Sequence, residues 1–340
     1  MLSLQLLFLI LSSLIFVWLM YFAFLKFGLL DKPKKYGFSR AAVPYSFGSV
    51  LFILFACLVL FFNPISLKLI ALLTSLLILV LTCFLDDFKD LNPYLRLAIQ
   101  IVCAGIVVFS GIRVLEVSNP FGTEPIVLNS FSYILSIFWI VLLTNLINFL
   151  DGISGLSSGV SSIGFFTIFA LGSMNAVHIT DQSLLISLSL IAALVASLGF
   201  ILEIPMSKPK VLLGDSGAMF FGFLLACLSM LNGGKLATLG LVLLVPIFDG
   251  LFVIFYRIIK SKSPVTKDSN HLHHKLLEIG FSRLQIVIFY IAITSIFGFL
   301  SIIAWNTQLK FVTFFLVVLM LSVFFRLTWK KHGLKRRDQI

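Results

Sequence analysis

Four groups of polar residues in this chain have the types and spacing that phosphate chemistry needs. The first is Asp86-Asp87-Phe88-Lys89-Asp90, directly after a long apolar run. Adjacent carboxylates repel, so one stays protonated or a cation holds them. If the helix continues, Asp86 and Asp90 share a face at i, i+4. A solvated helix end is the plain alternative. The second group is Asn145, Asn148 and Asp151, recurring every third residue on an apolar segment and followed by Gly152 and Gly155. Such a polar stripe is costly in a span unless it is used, although hydrogen bonds between helices would also use it.

The third group is Lys210-Val211-Leu212-Leu213-Gly214-Asp215-Ser216-Gly217, a glycine-flanked loop that opens an apolar helix. Asp215 either caps that helix or ligates a cation while neighbouring backbone N–H groups meet phosphate. The fourth closes a long loop: Asp268-Ser269-Asn270-His271-Leu272-His273-His274-Lys275. Asp268, Ser269 or Asn270 can cap a short helix that stops at Gly280. His271, His274 and Lys275 then share a face suited to phosphates, or to resting at a membrane interface. A zinc site finds no HExxH spacing and no nearby cysteine. Oxygen-rich groups of Asp and Asn favour a hard cation, Mg²⁺ with Mn²⁺ as its substitute, bound by one or two carboxylates plus substrate phosphates.

The elements that must position these groups are membrane spans. Hydrophobic residues form 60% of the 340 and charged residues 11%, far from the composition of a soluble domain. The expected fold is all-α and polytopic. Eleven apolar segments are expected to cross the membrane, at 3–25, 47–62, 65–85, 95–115, 130–149, 156–173, 183–202, 217–231, 236–259, 284–304 and 309–326. Fusing the segment before Pro64 with its neighbour makes ten. Residues 1–326 then form one catalytic membrane domain and 327–340 a basic tail. The cysteines (Cys57, Cys83, Cys103 and Cys227) all lie in apolar runs without CxxC spacing and read as packing residues.

The first basic cluster follows the first span, which predicts an outside N-terminus and a cytoplasmic C-terminus. Twenty-one of the 25 Lys and Arg then fall in loops 26–46, 86–96, 203–217 and 257–283, at Arg326, where the last span ends, or in the tail. Segment 145–156 faces the same side. Only Glu116, Glu124 and Asp181 of the 14 acidic residues fall outside. The net charge of +11 is thus explained by topology and anionic lipid, without nucleic acid. Phosphoryl transfer at the cytoplasmic surface is the implied reaction class. A cation- or proton-coupled transporter is the alternative, but it expects carboxylates near mid-span.

From about Lys26 to Arg283 the chain resembles the polyprenyl-phosphate N-acetylhexosamine-1-phosphate transferases. The motifs are Asp86-Asp87-x-x-Asp90 with Arg96 and Gln100, Asn145-x-x-Asn148-x-x-Asp151-Gly152-x-x-Gly155-Leu156, Lys210-x-x-x-Gly214-Asp215-Ser216-Gly217, and His271-x-His273-His274. Separated histidines are similar to the GlcNAc-1-phosphate branch rather than to phospho-MurNAc-pentapeptide transferase. Ser154 stands where many members carry a second Asp, and Ala218 where many carry Ser. The resemblance implies a bacterial inner-membrane enzyme, compatible with a homodimer. It would transfer a sugar phosphate from a UDP-N-acetylhexosamine to undecaprenyl phosphate, the first membrane step of a cell-envelope glycan. It further implies Asp215 and Asp151 at Mg²⁺, and Asp86 and Asp87 on the lipid phosphate. Asn145, Asn148 and Lys210 would lie on the donor, and His271, His273 and His274 on the diphosphate or sugar.

Overall fold

The computed structural model describes residues 2–33, 41–119, 122, 124–174, 181–204, 210–231, 236–259, 271–303, 312 and 315. The helices are α1 (Leu2–Phe27), α2 (Gly48–Phe62), α3 (Leu67–Lys89), α4 (Pro93–Phe109), α5 (Phe131–Leu150) and α6 (Leu156–Met174). They continue with α7 (Gln182–Glu203), α8 (Gly214–Leu231), α9 (Leu236–Val242), α10 (Leu244–Ile259), α11 (Leu272–Ile279) and α12 (Arg283–Ile303). Between α4 and α5 a minimal antiparallel pair, β1 (Glu116–Val117) and β2 (Ile126–Val127), sets Glu116 opposite Val127.

Among the described residues six helices (α3, α5, α6, α7, α8 and α12) are long and apolar enough to cross a bilayer. Shorter apolar helices lie at Leu11–Phe27, Gly48–Phe62 and Pro93–Phe109. The chain is an all-α, multi-span membrane protein. Residues such as Trp18, Leu81, Phe109, Ile288 and Phe299 are exposed, as a hydrocarbon environment requires of an outer surface. Apart from Val312 and Phe315, the expected span 309–326 and the tail 327–340 lie outside the described residues, as do parts of loops 26–46, 203–217 and 257–283.

One expected span is corrected. Segment 236–259 is two helices, α9 and α10, bent by 86°. Pro246 explains the break: it has no N–H to donate to Val242 and its ring crowds that carbonyl, so it is tolerated only in the first turn of a new helix. Helix α4 also ends earlier than expected, at Phe109. Its start is set by Asn92, whose Oδ1 accepts from Tyr94 N at 2.9 Å, with Pro93 in the first turn.

The helix at the centre is α8. It packs on α5, α3, α2, α6 and α7 and is buried along nearly its whole length. Close approach explains its composition: a Cβ at Gly48 of α2 would overlap the backbone of Gly217, so this crossing admits only glycine. Ahead of α2, residues 44–48 run beside the segment before α8. Leu212 N donates to Pro44 O at 2.8 Å, Phe47 N to Leu212 O at 3.0 Å and Gly48 N to Leu213 O at 2.9 Å. This pairing delivers Tyr45 and Ser46 to the N-terminus of α8.

Candidate active site

The C-terminal ends of α3, α5 and α7 meet the N-terminal ends of α4, α6 and α8 at one end of the bundle. Arg96, one turn into α4, is the hub. Its Nη1 donates to Asp86 Oδ2 and, at 2.8 Å, to Asp215 Oδ2. Asn148 Nδ2 donates to the other oxygen of Asp215 at 3.0 Å. Asp215 therefore does not cap its own helix; α4 and α5 each hold one of its oxygens. Asp86 also closes α3, its Oδ1 accepting from Leu91 N at 2.6 Å.

Asp86 and Asp90 do not share a helical face. Helix α3 ends at Lys89, and Asp90 turns out to solvent with φ 49°. Asp87 points instead at α8, where its Oδ1 accepts from Asp215 N at 3.0 Å and its Oδ2 from Ser216 N at 3.5 Å. The expectation that these backbone N–H groups meet phosphate is thus corrected: a carboxylate of the protein already occupies the positive end of the helix. Tyr45 and Ser46 add hydroxyl contacts to Asp87. Burial first, then the nearby charges of Asp87, Asp215 and Asp151, push the Tyr45 phenol far above its ordinary range, so it stays a donor. Gly214 makes the turn possible at φ +73°; a Cβ there would stand 2.6 Å from Asp87 Oδ2.

The polar stripe on α5 splits among three partners. Asn145 Nδ2 donates to Gln100 Oε1 at 2.7 Å, and Gln100 Nε2 in turn reaches Met219 Sδ at 3.4 Å. Asn148 serves Asp215. Asp151 ends the helix, its Oδ1 accepting from Ser157 Oγ at 2.9 Å. Burial, then the charge of Glu203, raises the Asp151 carboxyl well above the usual carboxylate range, and Asp215 and Asp87 add to the rise. Lys210 is exposed, its backbone N–H donating to Leu202 O at 3.2 Å.

The histidines form a second half. Asp249, buried in α10, accepts from Leu272 N at 2.6 Å and lies 3.3 Å from His271 Nδ1. Asp249 thus holds the start of α11, where Asp268, Ser269 or Asn270 was expected to act as cap; those three lie outside the described residues. The helix stops at Gly280 as expected. His271 precedes the helix and is buried against Phe149, ring centroids 4.8 Å apart, so it does not share an open face with His274 and Lys275. His273 stacks on His271 at 5.7 Å and packs on His274 at 4.2 Å. It is fully buried, and neither ring nitrogen has a hydrogen-bond partner among the described residues. Its Nε2 faces Gly152, where a Cβ would stand 2.8 Å away. Burial, then the neighbouring imidazoles, pushes the His273 ring well below its ordinary value. The His-x-His-His motif and the Asp151-Gly152 turn are therefore adjacent.

Sequence reasoning missed Glu203, Asp249, Tyr45 and Ser46 as parts of this site. Asp249 carried a signal, a carboxylate inside an apolar run. Tyr45 and Ser46 carried none, since only the pairing of residues 44–48 with 212–213 brings them in.

Residues 69–233 match the model of a family described as glycosyl transferase family 4. A probable undecaprenyl-phosphate N-acetylglucosaminyl 1-phosphate transferase of Bacillus subtilis is 30% identical over 307 residues, 87% of this chain and 84% of the relative. The undecaprenyl-phosphate alpha-N-acetylglucosaminyl 1-phosphate transferase of Haemophilus influenzae is 28% identical over 331 residues, 91% of each chain. The protein of the same name from Yersinia pestis is 25% identical over 295 residues, covering 83% and 79%. With the arginine-bridged carboxylates and the buried histidines in place, these likenesses establish that the chain belongs to the polyprenyl-phosphate N-acetylhexosamine-1-phosphate transferase family.

Proposed function

We propose that this protein transfers N-acetylhexosamine-1-phosphate, GlcNAc-1-phosphate by default, from a UDP-sugar to undecaprenyl phosphate and releases UMP. The observation that carries the reading is the convergence on Asp215: Arg96 of the first motif and Asn148 of the second each bind one of its oxygens. An oxygen of the lipid phosphate forms a bond to the sugar-bearing phosphorus of the donor. The bond between the two donor phosphates breaks, and UMP leaves with the bridging oxygen. Asp86 and Asp87 border the acceptor phosphate, orienting it or taking its proton. Asn148, Asn145 and Lys210 serve the nucleotide end. His271, His273 and His274 contact the diphosphate or sugar, and the unpartnered nitrogens of His273 suit that role.

The donor set fits Mg²⁺. Asp215 and Asp151 supply hard carboxylate oxygens, and each oxygen accepts at most one described hydrogen bond, which leaves lone pairs for a cation. Among the described residues no three His, Cys, Asp or Glu side chains form a closed cage. Two carboxylates completed by substrate phosphates are a usual Mg²⁺ arrangement. When bound, the ion supplies positive charge to the diphosphate and the leaving UMP.

The distribution of Lys and Arg supports an outside N-terminus, eleven spans, a cytoplasmic C-terminus and an active site on the cytoplasmic face of a bacterial inner membrane. The assay supplies purified protein with undecaprenyl phosphate, Mg²⁺ and a panel of UDP-sugars. UMP release with an N-acetylhexosamine donor is the expected result. Folded protein that releases no UMP from any donor overturns the proposal.

A further inference from the structure

Glu203 is the last residue of α7, 1% exposed, and no step above uses it. A carboxylate at the C-terminus of its own helix meets the negative end of that dipole, and burial adds a desolvation cost. Its partners explain why it is there. Glu203 Oε2 accepts from Ser158 Oγ at 2.6 Å, and Oε1 accepts from Leu213 N at 3.3 Å. The backbone N–H of Gly155 also donates to the carboxylate. Gly155 and Ser158 flank the start of α6, and Leu213 precedes the first residue of α8. One carboxylate thus sits at the positive ends of two helices.

Those two helix starts carry the site. Ser157, next to Ser158, donates to Asp151. Leu213 leads through Gly214 into Asp215, and Leu213 O also receives Gly48 N. The first turn of α6 therefore holds two carboxylates side by side, Asp151 through Ser157 and Glu203 through Ser158. Glu203 carries the connection onward to the turn that bears Asp215.

We infer that Glu203 is a positioning residue that staples the Asp151 turn to the Asp215 turn and sets the spacing of the two carboxylates proposed to share Mg²⁺. The metal role rests on the proposed function; the staple itself does not. Glu203→Gln keeps the shape but turns one acceptor oxygen into a donor that faces a donor. Misplacement of about 1 Å in a reacting constellation costs on the order of 100-fold in rate.

The test uses the full chain in detergent with two readouts. The first is hydrogen–deuterium exchange without substrate or metal. Glu203→Gln is expected to speed exchange in both segments 151–158 and 211–217, with the rest of the chain unchanged. The second is UMP release, where turnover is expected to fall roughly 10- to 100-fold and the Mg²⁺ concentration for half-maximal rate to rise several-fold. KM for the UDP-sugar is expected to stay within about twofold. Unchanged exchange, or faster exchange in only one segment, overturns the staple. Faster exchange throughout the chain, or a rate loss that only tracks the unfolded fraction with unchanged Mg²⁺ dependence, assigns Glu203 a merely structural role and also overturns it. If wild-type protein releases no UMP, the proposed function fails while the exchange result still decides the staple.

Discussion

At the α3–α8 end of the site the carboxylates already have protein partners. Arg96 bridges Asp86 and Asp215, Asn148 holds the second oxygen of Asp215, and Asp87 takes the first N–H groups of α8. At α11 the opposite holds for His273, buried with two ring nitrogens that find no hydrogen-bond partner among the described residues. A buried polar group without a partner costs about 1–3 kcal/mol, whereas a satisfied network rigidifies its surroundings. The carboxylate half is built to keep its geometry in the absence of ligand. The histidine half pays a stability penalty that a bound phosphate or sugar would remove.

Substitutions separate the two halves. The largest effect is expected from Asp215→Asn, which leaves Arg96 or Asn148 facing an amide N–H. UMP release should fall at least ~1000-fold, with the protein still folded and its Tm modestly lower. Near-normal turnover removes Asp215 from the metal site. His273→Leu should lose roughly 100-fold in rate with no loss of Tm, because a costly imidazole is replaced by an apolar group. A lower Tm shows that His273 has a protein partner after all and breaks the contrast between the halves. Gly152→Ala, aimed at the contact between Gly152 and His273, should displace the ring and cost about 10-fold in rate, read as turnover at saturating substrate. Unchanged turnover separates the histidines from the Asp151 turn.

The smallest effect is on pH dependence. His273 and His274 are both held below their ordinary value of 6.5 in the fold. The unfolded chain then binds protons more readily, so stability is complete above that value and falls as pH drops through it. The Asp151 carboxyl, held above its ordinary range, acts in the opposite sense, so the histidine share is read by difference: relative to wild type, His273→Leu should raise Tm by roughly 2–4 °C more at pH about 5.5 than at about 7.5. A slope that His273→Leu leaves unchanged assigns the acid sensitivity to other groups.

The helices were legible because apolar runs bounded by polar loops leave little choice within a bilayer. The bend at α9–α10 was equally present in the sequence, as Pro246, but a continuous apolar run from 236 to 259 hid it. The four motifs were legible as groups of residue types. Their partners were not. Nothing in local spacing tells that Asp86 turns to Arg96 while its neighbour Asp87 turns to α8, because a one-residue step along a helix rotates the side chain by about 100°. Glu203 was invisible for a related reason: a single carboxylate at a helix end has no pattern, and its role exists only where two other helix starts meet it.

Transfer of a sugar phosphate is tested by identifying both products of one reaction. Purified protein is incubated with undecaprenyl phosphate, Mg²⁺ and UDP-GlcNAc, and nucleotide and lipid are quantified by mass spectrometry. The account predicts UMP and undecaprenyl-diphospho-N-acetylglucosamine in equal amounts. Release of UDP with a lipid that carries a single phosphate would show transfer of the sugar alone and would contradict it.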